Sequence, residues 1–180
     1  MTTGGRLASL ATILTLAAVA PRSADAATFE QGRYSLGVSG GGGRSTANIG
    51  LGFGYMVVDG LQPSISVGYR WVGADYGDSH QVETKLELRY YIWEFTYVAP
   101  FIYVNGSHVF LAFRGTPTED HNFFRAGGGA GLAFMISRGI AFTINFGASA
   151  WLGADQSLYD RGILEEPPLL DYGFGLSFLL

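Results

Sequence analysis

This 180-residue chain contains three histidines and no cysteine. Histidine is the residue type most often used for proton transfer at neutral pH. His80, His108 and His121 fall in or beside segments whose polar composition predicts loops. Ser107 precedes His108, and the acidic pair 119–120 precedes His121. Serine, histidine and a carboxylate are the residue types of a serine nucleophile with its base and the acid that orients the base. Neighbours on an extended strand point in opposite directions, however. We therefore interpret these residues as solvated polar groups and expect no catalytic residue.

Metal or cofactor binding is a second kind of chemistry to weigh. Asp75, Asp78 and His80 could ligate a divalent cation, as could the acidic residues of segment 153–168. Polar loops commonly carry such residues for solvation, so we predict no metal site. The glycine-rich segments 50–54 and 127–131 superficially resemble phosphate-binding loops. Such a loop must be followed by a helix, and here the strand pattern continues, so we predict no cofactor.

Charged residues occupy alternate positions of the apolar segment 82–92, and Arg70 and Arg125 are single charged residues in segments 61–71 and 124–136. Opposite charges that share a face away from water must be paired, because an unpaired charge there is costly. We predict an internal ion-pair network that fills the space enclosed by a closed sheet. Its members are Arg70, Glu83, Lys85, Glu87, Arg89 and Arg125.

The elements that must position these charges are β-strands. Apolar residues alternate with small or polar residues at period two through eight segments. These segments are 34–39, 48–57, 61–71, 82–92, 97–104, 124–136, 140–151 and 170–180. The facing of segment 97–104 stays open, because both of its sides are apolar. The connections alternate between short ones, near 58–60, 93–96 and 137–139, and long ones, at 40–46, 73–80, 105–122 and 153–168.

The first residues predict export. Arg6 precedes an uncharged apolar run, and a polar stretch ends in Ala24-Asp25-Ala26. This order is typical of a secretory signal peptide, and we expect cleavage after Ala26, with Ala24 and Ala26 at the cleavage site. Residues 1–26 are then the signal peptide, and residues 27–180 form one domain.

The composition is unusual for a domain surrounded by water. Apolar residues make up 48% of the chain and charged residues only 14%, with 27 glycines. No run beyond the leader reaches the 18 to 20 apolar residues of a spanning helix. If lipid surrounds the chain, a closed barrel satisfies the backbone, because an open sheet edge would not. Removing Arg6, Arg22 and Asp25 with the leader leaves nine basic and 14 acidic residues, which argues against a nucleic-acid partner.

The two faces of the strands predict which side meets lipid. A soluble ligand-binding barrel would turn its apolar face inwards and carry charges outside. Here the second face is mainly glycine, serine, alanine and asparagine, which suits a narrow lumen filled by side chains. The outward aromatic set then suits interfacial girdles; it contains Tyr34, Phe53, Tyr55, Tyr69, Trp71, Tyr90, Phe134, Phe142, Tyr172 and Phe178.

In this pattern, residues 30–180 resemble the small eight-stranded barrels of the OmpA transmembrane-domain and OmpX kind. The resemblance implies an all-β fold, an eight-stranded antiparallel transmembrane up-and-down β-barrel in the bacterial outer membrane. It also implies a C-terminal signal for the barrel assembly machinery, carried here by Tyr172, Phe174 and Phe178, with Leu180 in the final place.

We therefore expect a monomeric, non-enzymatic outer-membrane barrel with a structural or surface-interaction role through its outer loops. Its expected partners are outer-membrane lipids, lipopolysaccharide and the barrel assembly machinery. Two alternatives stay open. One is a lipid-modifying enzyme acting on lipid A acyl chains, although the His-x-Ser arrangement of the eight-stranded lipid A deacylases is absent. The other is a soluble periplasmic ligand-binding barrel.

Overall fold

The computed structural model describes residues 29–43, 46–74, 77–92, 95, 97–115, 118–137, 139–154, 160, 164 and 167–180. The predicted signal peptide, with Ala24 and Ala26, lies outside these residues. Eight strands are present in the described part: β1 (Tyr34–Gly43), β2 (Thr46–Tyr55), β3 (Leu61–Ala74), β4 (Gly77–Tyr91), β5 (Val98–Gly115), β6 (Thr118–Ser137), β7 (Ile140–Leu152) and β8 (Leu169–Leu179). No helix among these residues is long and apolar enough to span a membrane.

The eight strands form one closed antiparallel barrel in chain order. Each strand pairs with its neighbours in sequence, and β1 closes the barrel against β8, with Ser35 opposite Leu179. The predicted fold class is confirmed. Closure satisfies the backbone N–H and C=O groups along both edges of every paired segment, which is why the sheet needs no covering layer.

Alternation sends small and polar side chains inwards and apolar ones outwards. Leu51 and Phe146, for example, are each 65% exposed. The predicted turn at Asp59-Gly60 is present, and Gly60 has a φ of 77°, which favours glycine. The facing of β5 is also decided, since Phe101 and Tyr103 are buried inside the barrel.

Inward glycines on β6 and β7 make room for these two rings. A methyl group at Gly131 would collide with the Phe101 ring, and one at Gly147 would collide with the Tyr103 hydroxyl. An eight-stranded interior is only wide enough for side chains to fill, so large residues on one strand need small ones opposite. Small residues of β6 and β7 are therefore complementary to the two rings of β5.

The prediction of a loop at 105–122 is wrong. Strands β5 and β6 continue through this segment as a long hairpin, with Val109 opposite Phe123 and Arg114 opposite Thr118. In this segment apolar residues face inwards, since Val109 and Leu111 are buried inside the barrel, whereas the polar His108 is exposed outside. Apolar alternation on the outer face therefore does not reveal this extension.

Two other predicted loops are too long. β1 continues to Gly43 and β2 begins at Thr46, so most of segment 40–46 is strand. β3 continues to Ala74 and β4 begins at Gly77, which shortens the predicted 73–80 connection in the same way. Backbone pairing requires no apolar pattern, so glycine and polar residues extend these hairpins. The connection at 153–168 has the predicted ends, because β7 stops at Leu152 and β8 starts at Leu169.

Apolar clusters lie at both ends of the barrel interior. The first, which we call the floor cluster, lies at the end that holds the first described residues and Leu179; it contains Phe29, Met56, Tyr91, Ala99, Phe101, Tyr103, Ala133, Met135, Ala141 and Leu179. The second, the roof cluster, lies at the opposite end; it contains Val109, Leu111, Phe123, Trp151, Leu164 and Leu169. The polar part of the lumen lies between them.

Candidate functional site: the charged lumen

Four charged side chains of β4 point into the lumen because they alternate with exposed apolar residues such as Leu86 and Leu88. They are Glu83, Lys85, Glu87 and Arg89. At the floor end, Glu87 accepts hydrogen bonds from Arg89 Nε (3.1 Å) and Nη2 (2.7 Å), and Lys85 Nζ lies 3.3 Å from its other oxygen. The Glu87 side chain is only 4% exposed. Two cations thus compensate one buried carboxylate, as a buried charge requires.

Neutral groups extend this floor-end group across the barrel. Arg89 Nη1 donates to the Tyr91 hydroxyl (3.3 Å), which donates to Gln62 Oε1 (3.3 Å). Gln62 Nε2 then donates to Ser35 Oγ at 2.6 Å. The guanidinium of Arg89 also lies 4.3 Å from the centre of the Phe101 ring. This cation–π contact joins the charges to the floor cluster.

A second group of charges lies nearer the roof. Arg125 Nη2 donates to Glu83 Oε1 at 3.1 Å, and Arg125 Nη1 lies 3.6 Å from Asp171 Oδ1. Arg70 Nη2 lies 4.0 Å from the same Asp171 oxygen, and Ser149 Oγ donates to the other one at 2.6 Å. The six predicted residues thus all face the lumen but are distributed over two groups, one at each level.

Asp171 belongs to the roof-end group and was missing from the predicted set. Its position on β8 alternates with Leu170 and Tyr172, which are exposed at 82% and 51%. The period-two pattern therefore placed Asp171 on the inner face. What the sequence did not show is that Asp171 lies close to both Arg70 of β3 and Arg125 of β6.

The described residues enclose two cavities in the polar part of the lumen. The one near the roof, about 130 Å³, is lined by residues that include Asn48, Arg70, Arg125, Asn145 and Asp171. The one near the floor, about 100 Å³, is lined by residues that include Ser35, Gln62, Glu87 and Arg89. Side chains therefore fill the lumen only in part, and the remaining space is polar.

The histidines lie on strands and not in loops. His108 is exposed on the outer face beside Phe124, whereas Ser107 is buried in the lumen. His80 also faces outwards, where Tyr69 Oη lies 2.5 Å from its Nδ1. His121 stacks on Phe123 at the roof end. The structure therefore separates Ser107 from His108, as the alternation predicts.

The acidic residues weighed as metal ligands form no cluster within the described ranges. No group of three or more His, Asp or Glu side chains there could hold a metal ion, and Asp75 lies outside the described residues. Asp120, one of the two acids that precede His121, accepts a hydrogen bond from Arg114 Nη1 at 2.9 Å, in an exposed ion pair at the end of the β5–β6 hairpin.

The residues of the predicted assembly signal lie on the outer face of β8 or just beyond it. Tyr172, Phe174, Phe178 and Leu180 are 51%, 41%, 40% and 67% exposed. The backbone of Leu180 exchanges two hydrogen bonds with that of Tyr34. The C-terminal strand thus presents its aromatic face outwards while its backbone closes the barrel.

Comparison with known proteins identifies the fold. No protein-family model and no curated protein sequence matches the chain. Among solved structures, it is similar to the N-terminal β-barrel domain of Pseudomonas aeruginosa OprF, with a TM-score of 0.63 and 15% identity over 83% of this chain and 98% of that one. OprG of Pseudomonas aeruginosa gives 0.59 and 13% over 87% and 99%, and Neisserial surface protein A gives 0.52 and 10% over 83% and 92%. The chain therefore has the fold of the small eight-stranded outer-membrane β-barrels.

Proposed function

We propose that this chain is an integral outer-membrane barrel with a structural or surface-interaction role. The observation that carries the proposal is a belt of exposed apolar side chains with at least one member on every strand: Leu36, Leu51, Val67, Leu86, Val104, Leu132, Phe146 and Phe174. An apolar surface that encircles a protein is unfavourable in water and suits the hydrocarbon of a bilayer. This belt argues against a soluble ligand-binding barrel.

Aromatic side chains near the two ends of the strands support the same placement. Tyr34, Tyr55 and Tyr90 lie towards the floor end, and Tyr69 and Trp71 lie towards the roof end. Such residues are enriched at the two interfaces of outer-membrane barrels. The longer extensions of this class face the cell surface, so we assign the roof end, which carries the β5–β6 hairpin and the 153–168 connection, to the surface and the floor end to the periplasm. The hairpin is then the principal surface for contacts with other molecules.

The proposal includes no catalytic step. Ser107 is buried in the lumen and His108 is exposed on the opposite face of the same strand, so they cannot act on one substrate together. The proposed lipid partners, lipopolysaccharide included, follow from the apolar belt. Tyr172, Phe174 and Phe178, exposed on β8, remain our candidates for recognition by the barrel assembly machinery.

Cell fractionation followed by electrophoresis of unheated and boiled samples tests the proposal. We expect the protein in the outer-membrane fraction, with a mobility that changes on boiling because the closed barrel resists detergent until heated. Leu86→Arg places a charge in the middle of the belt and should cost about 2–4 kcal/mol of folding free energy in a bilayer. The control, Asn122→Arg, changes an exposed residue of the hairpin and should fold normally. Recovery as a soluble periplasmic protein, with Leu86→Arg tolerated, would defeat the proposal.

A further inference from the structure

Two polar side chains face outwards among the apolar side chains of the belt. Thr84 on β4 and His108 on β5 are paired directly across the two strands, and both are exposed. Val67 pairs with Thr84 on its other side, and Tyr69, one of the roof-end aromatic residues, is the next outward residue of β3. The pair therefore lies at the border between the belt and the roof-end aromatic residues. A polar or ionisable side chain at a lipid-facing position is costly without a partner, which makes it a candidate for a functional contact.

Neither side chain has a hydrogen-bond partner within the described part of the chain. The His108 ring instead contacts the ring of Phe124, with 5.2 Å between the two ring centres. The Thr84 hydroxyl and one imidazole N–H of His108 are therefore available as donors to a molecule outside the barrel. In a bilayer such donors need an acceptor, because hydrocarbon provides none.

The outward positions next to this pair carry no carboxylate. On β4, β5 and β6 they are occupied by Val82, Leu86, Gly106, Phe110 and Phe124. The nearest acids on the outer face of β4 and β6, Asp78 and Asp120, lie further towards the roof, and Asp120 accepts a hydrogen bond from Arg114. A negatively charged acceptor beside Thr84 and His108 therefore meets no adjacent like charge.

The outer surface is low on the side of His108 that faces the middle of the belt. Gly106 is the next outward residue of β5, and a methyl group there would have no neighbour within 4 Å. Its partner on β6 is Ala126, which pairs with Ala150 on β7. Larger exposed side chains border this row of small residues: Leu86, Val104 and Phe124. The row and its border form a shallow apolar depression that suits a hydrocarbon chain and begins beside the two polar groups.

We propose that Thr84, His108 and the depression over Gly106 bind one lipid A moiety of lipopolysaccharide on the outer face of the barrel. A lipid A phosphate accepts hydrogen bonds from the Thr84 hydroxyl and the His108 imidazole, and one acyl chain lies in the depression. The pair lies towards the roof end, which is assigned to the cell surface, and lipopolysaccharide is the phosphorylated lipid of that leaflet. The site rests on the membrane placement and orientation proposed above, to which it adds a specific headgroup contact.

Native mass spectrometry of the purified full-length barrel in a neutral detergent, titrated with diphosphorylated lipid A, tests the site. We expect saturable binding of one lipid A per barrel. Thr84→Val keeps the branched shape and removes the hydroxyl, and His108→Leu removes the imidazole. Each should weaken binding about tenfold, the effect of losing one hydrogen bond to a charged group. Gly106→Leu leaves both polar groups in place but fills the depression, so it should also weaken binding. Tyr172→Phe, which removes an exposed hydroxyl from the outer face of β8, is the matched control and should leave binding unchanged.

Dephosphorylated lipid A, which keeps the acyl chains, separates phosphate recognition from contact with the chains and should bind more weakly than the diphosphorylated form. Equal binding of the two lipids, or equal affinities in Thr84→Val and the unsubstituted protein, would overturn the site. Equally tight binding of phosphatidylglycerol would overturn the assignment to lipopolysaccharide. Thr84→Val keeps the test decisive should His108→Leu fail to fold, which the heat-dependent mobility reports. Recovery as a soluble periplasmic protein would instead defeat the membrane placement, so the two failures are distinguishable.

Discussion

Glu87 is the most buried carboxylate among the described ion pairs, and its two cationic partners, Lys85 and Arg89, lie on the same strand. All three side chains point into the lumen because they occupy every second position of β4. In the low-dielectric barrel interior, losing one member leaves the others without compensation, which costs more than the intact pair contributes. Arg89 is the residue most affected, because both of its bonds to Glu87 would be weakened.

We predict that Glu87→Gln destabilises the barrel by about 3–5 kcal/mol, because it leaves Arg89 buried without its anion. Asp120→Asn is the control, since its partner Arg114 is exposed, and we expect a cost of about 0–1 kcal/mol. Urea unfolding of the refolded barrel in micelles, followed by tryptophan fluorescence, measures both values. The double substitution Glu87→Gln with Arg89→Met should recover part of the loss. Equal stability of Glu87→Gln and the unsubstituted protein would show that the ion pair contributes nothing.

At the scale of elements, β6 is a strand whose inner face is built for the side chains of β5. Gly127, Gly129 and Gly131 lie on that face, opposite Asn105, Tyr103 and Phe101. Glycine is normally unfavourable inside a strand because it packs nothing and loses more backbone entropy. Here the space that it leaves is filled by the neighbouring strand's rings.

We predict that Gly131→Ala destabilises the barrel by roughly 1–3 kcal/mol, since the added methyl group meets the Phe101 ring and the Ile144 carbonyl. Gly106→Ala, on the outer face of β5, is the control, because a methyl group there has no neighbour within 4 Å. The midpoint of urea unfolding should fall for Gly131→Ala and stay level for Gly106→Ala. A tolerated Gly131→Ala would mean that the inner face of β6 does not require glycine.

At the scale of the whole molecule, the polar lumen lies between two apolar clusters. The floor is completed by a residue that precedes β1: Phe29, which stacks on Tyr91 with ring centres 3.6 Å apart. The segment before β1 that carries Phe29 is held by two backbone hydrogen bonds, each 2.9 Å long. Gly32 N donates to Met56 O, and Gly60 N donates to Phe29 O. The floor therefore depends on chain outside the strands.

We predict that Phe29→Ala opens the floor to small polar reagents. Because the chain has no cysteine, Ser177→Cys provides a unique thiol beside the lumen cavity near the floor. Labelling of this thiol by a charged methanethiosulfonate should become several-fold faster with Phe29→Ala. Phe124→Ala, on the outer face, is the control and should not change the rate. Identical rates in all three proteins would show that Phe29 does not seal the lumen.

The strand pattern was predictable wherever the two faces meet different surroundings. In β2, Ile49, Leu51 and Phe53 are exposed outside while Gly50 and Gly54 are buried inside, and the sequence alternates accordingly. The same alternation placed all six predicted charges in the lumen. The β5–β6 hairpin was not predictable in this way, because its inner face joins the apolar roof cluster and its outer face carries polar residues such as His108.

The sequence by itself determined the number of strands, the closed all-β fold and the face of each charge on β4, because period two reports which side of a strand a residue occupies. Only the tertiary structure decided which charges meet. Asp171 reaches Arg70 because closure of β8 on β1 brings β8 within reach of β3, and it reaches Arg125 because β7 alone separates β8 from β6. Register and closure likewise decided the short β1–β8 ladder, since both depend on pairing between residues more than 130 positions apart. Alternation within a single strand carries no information about that pairing.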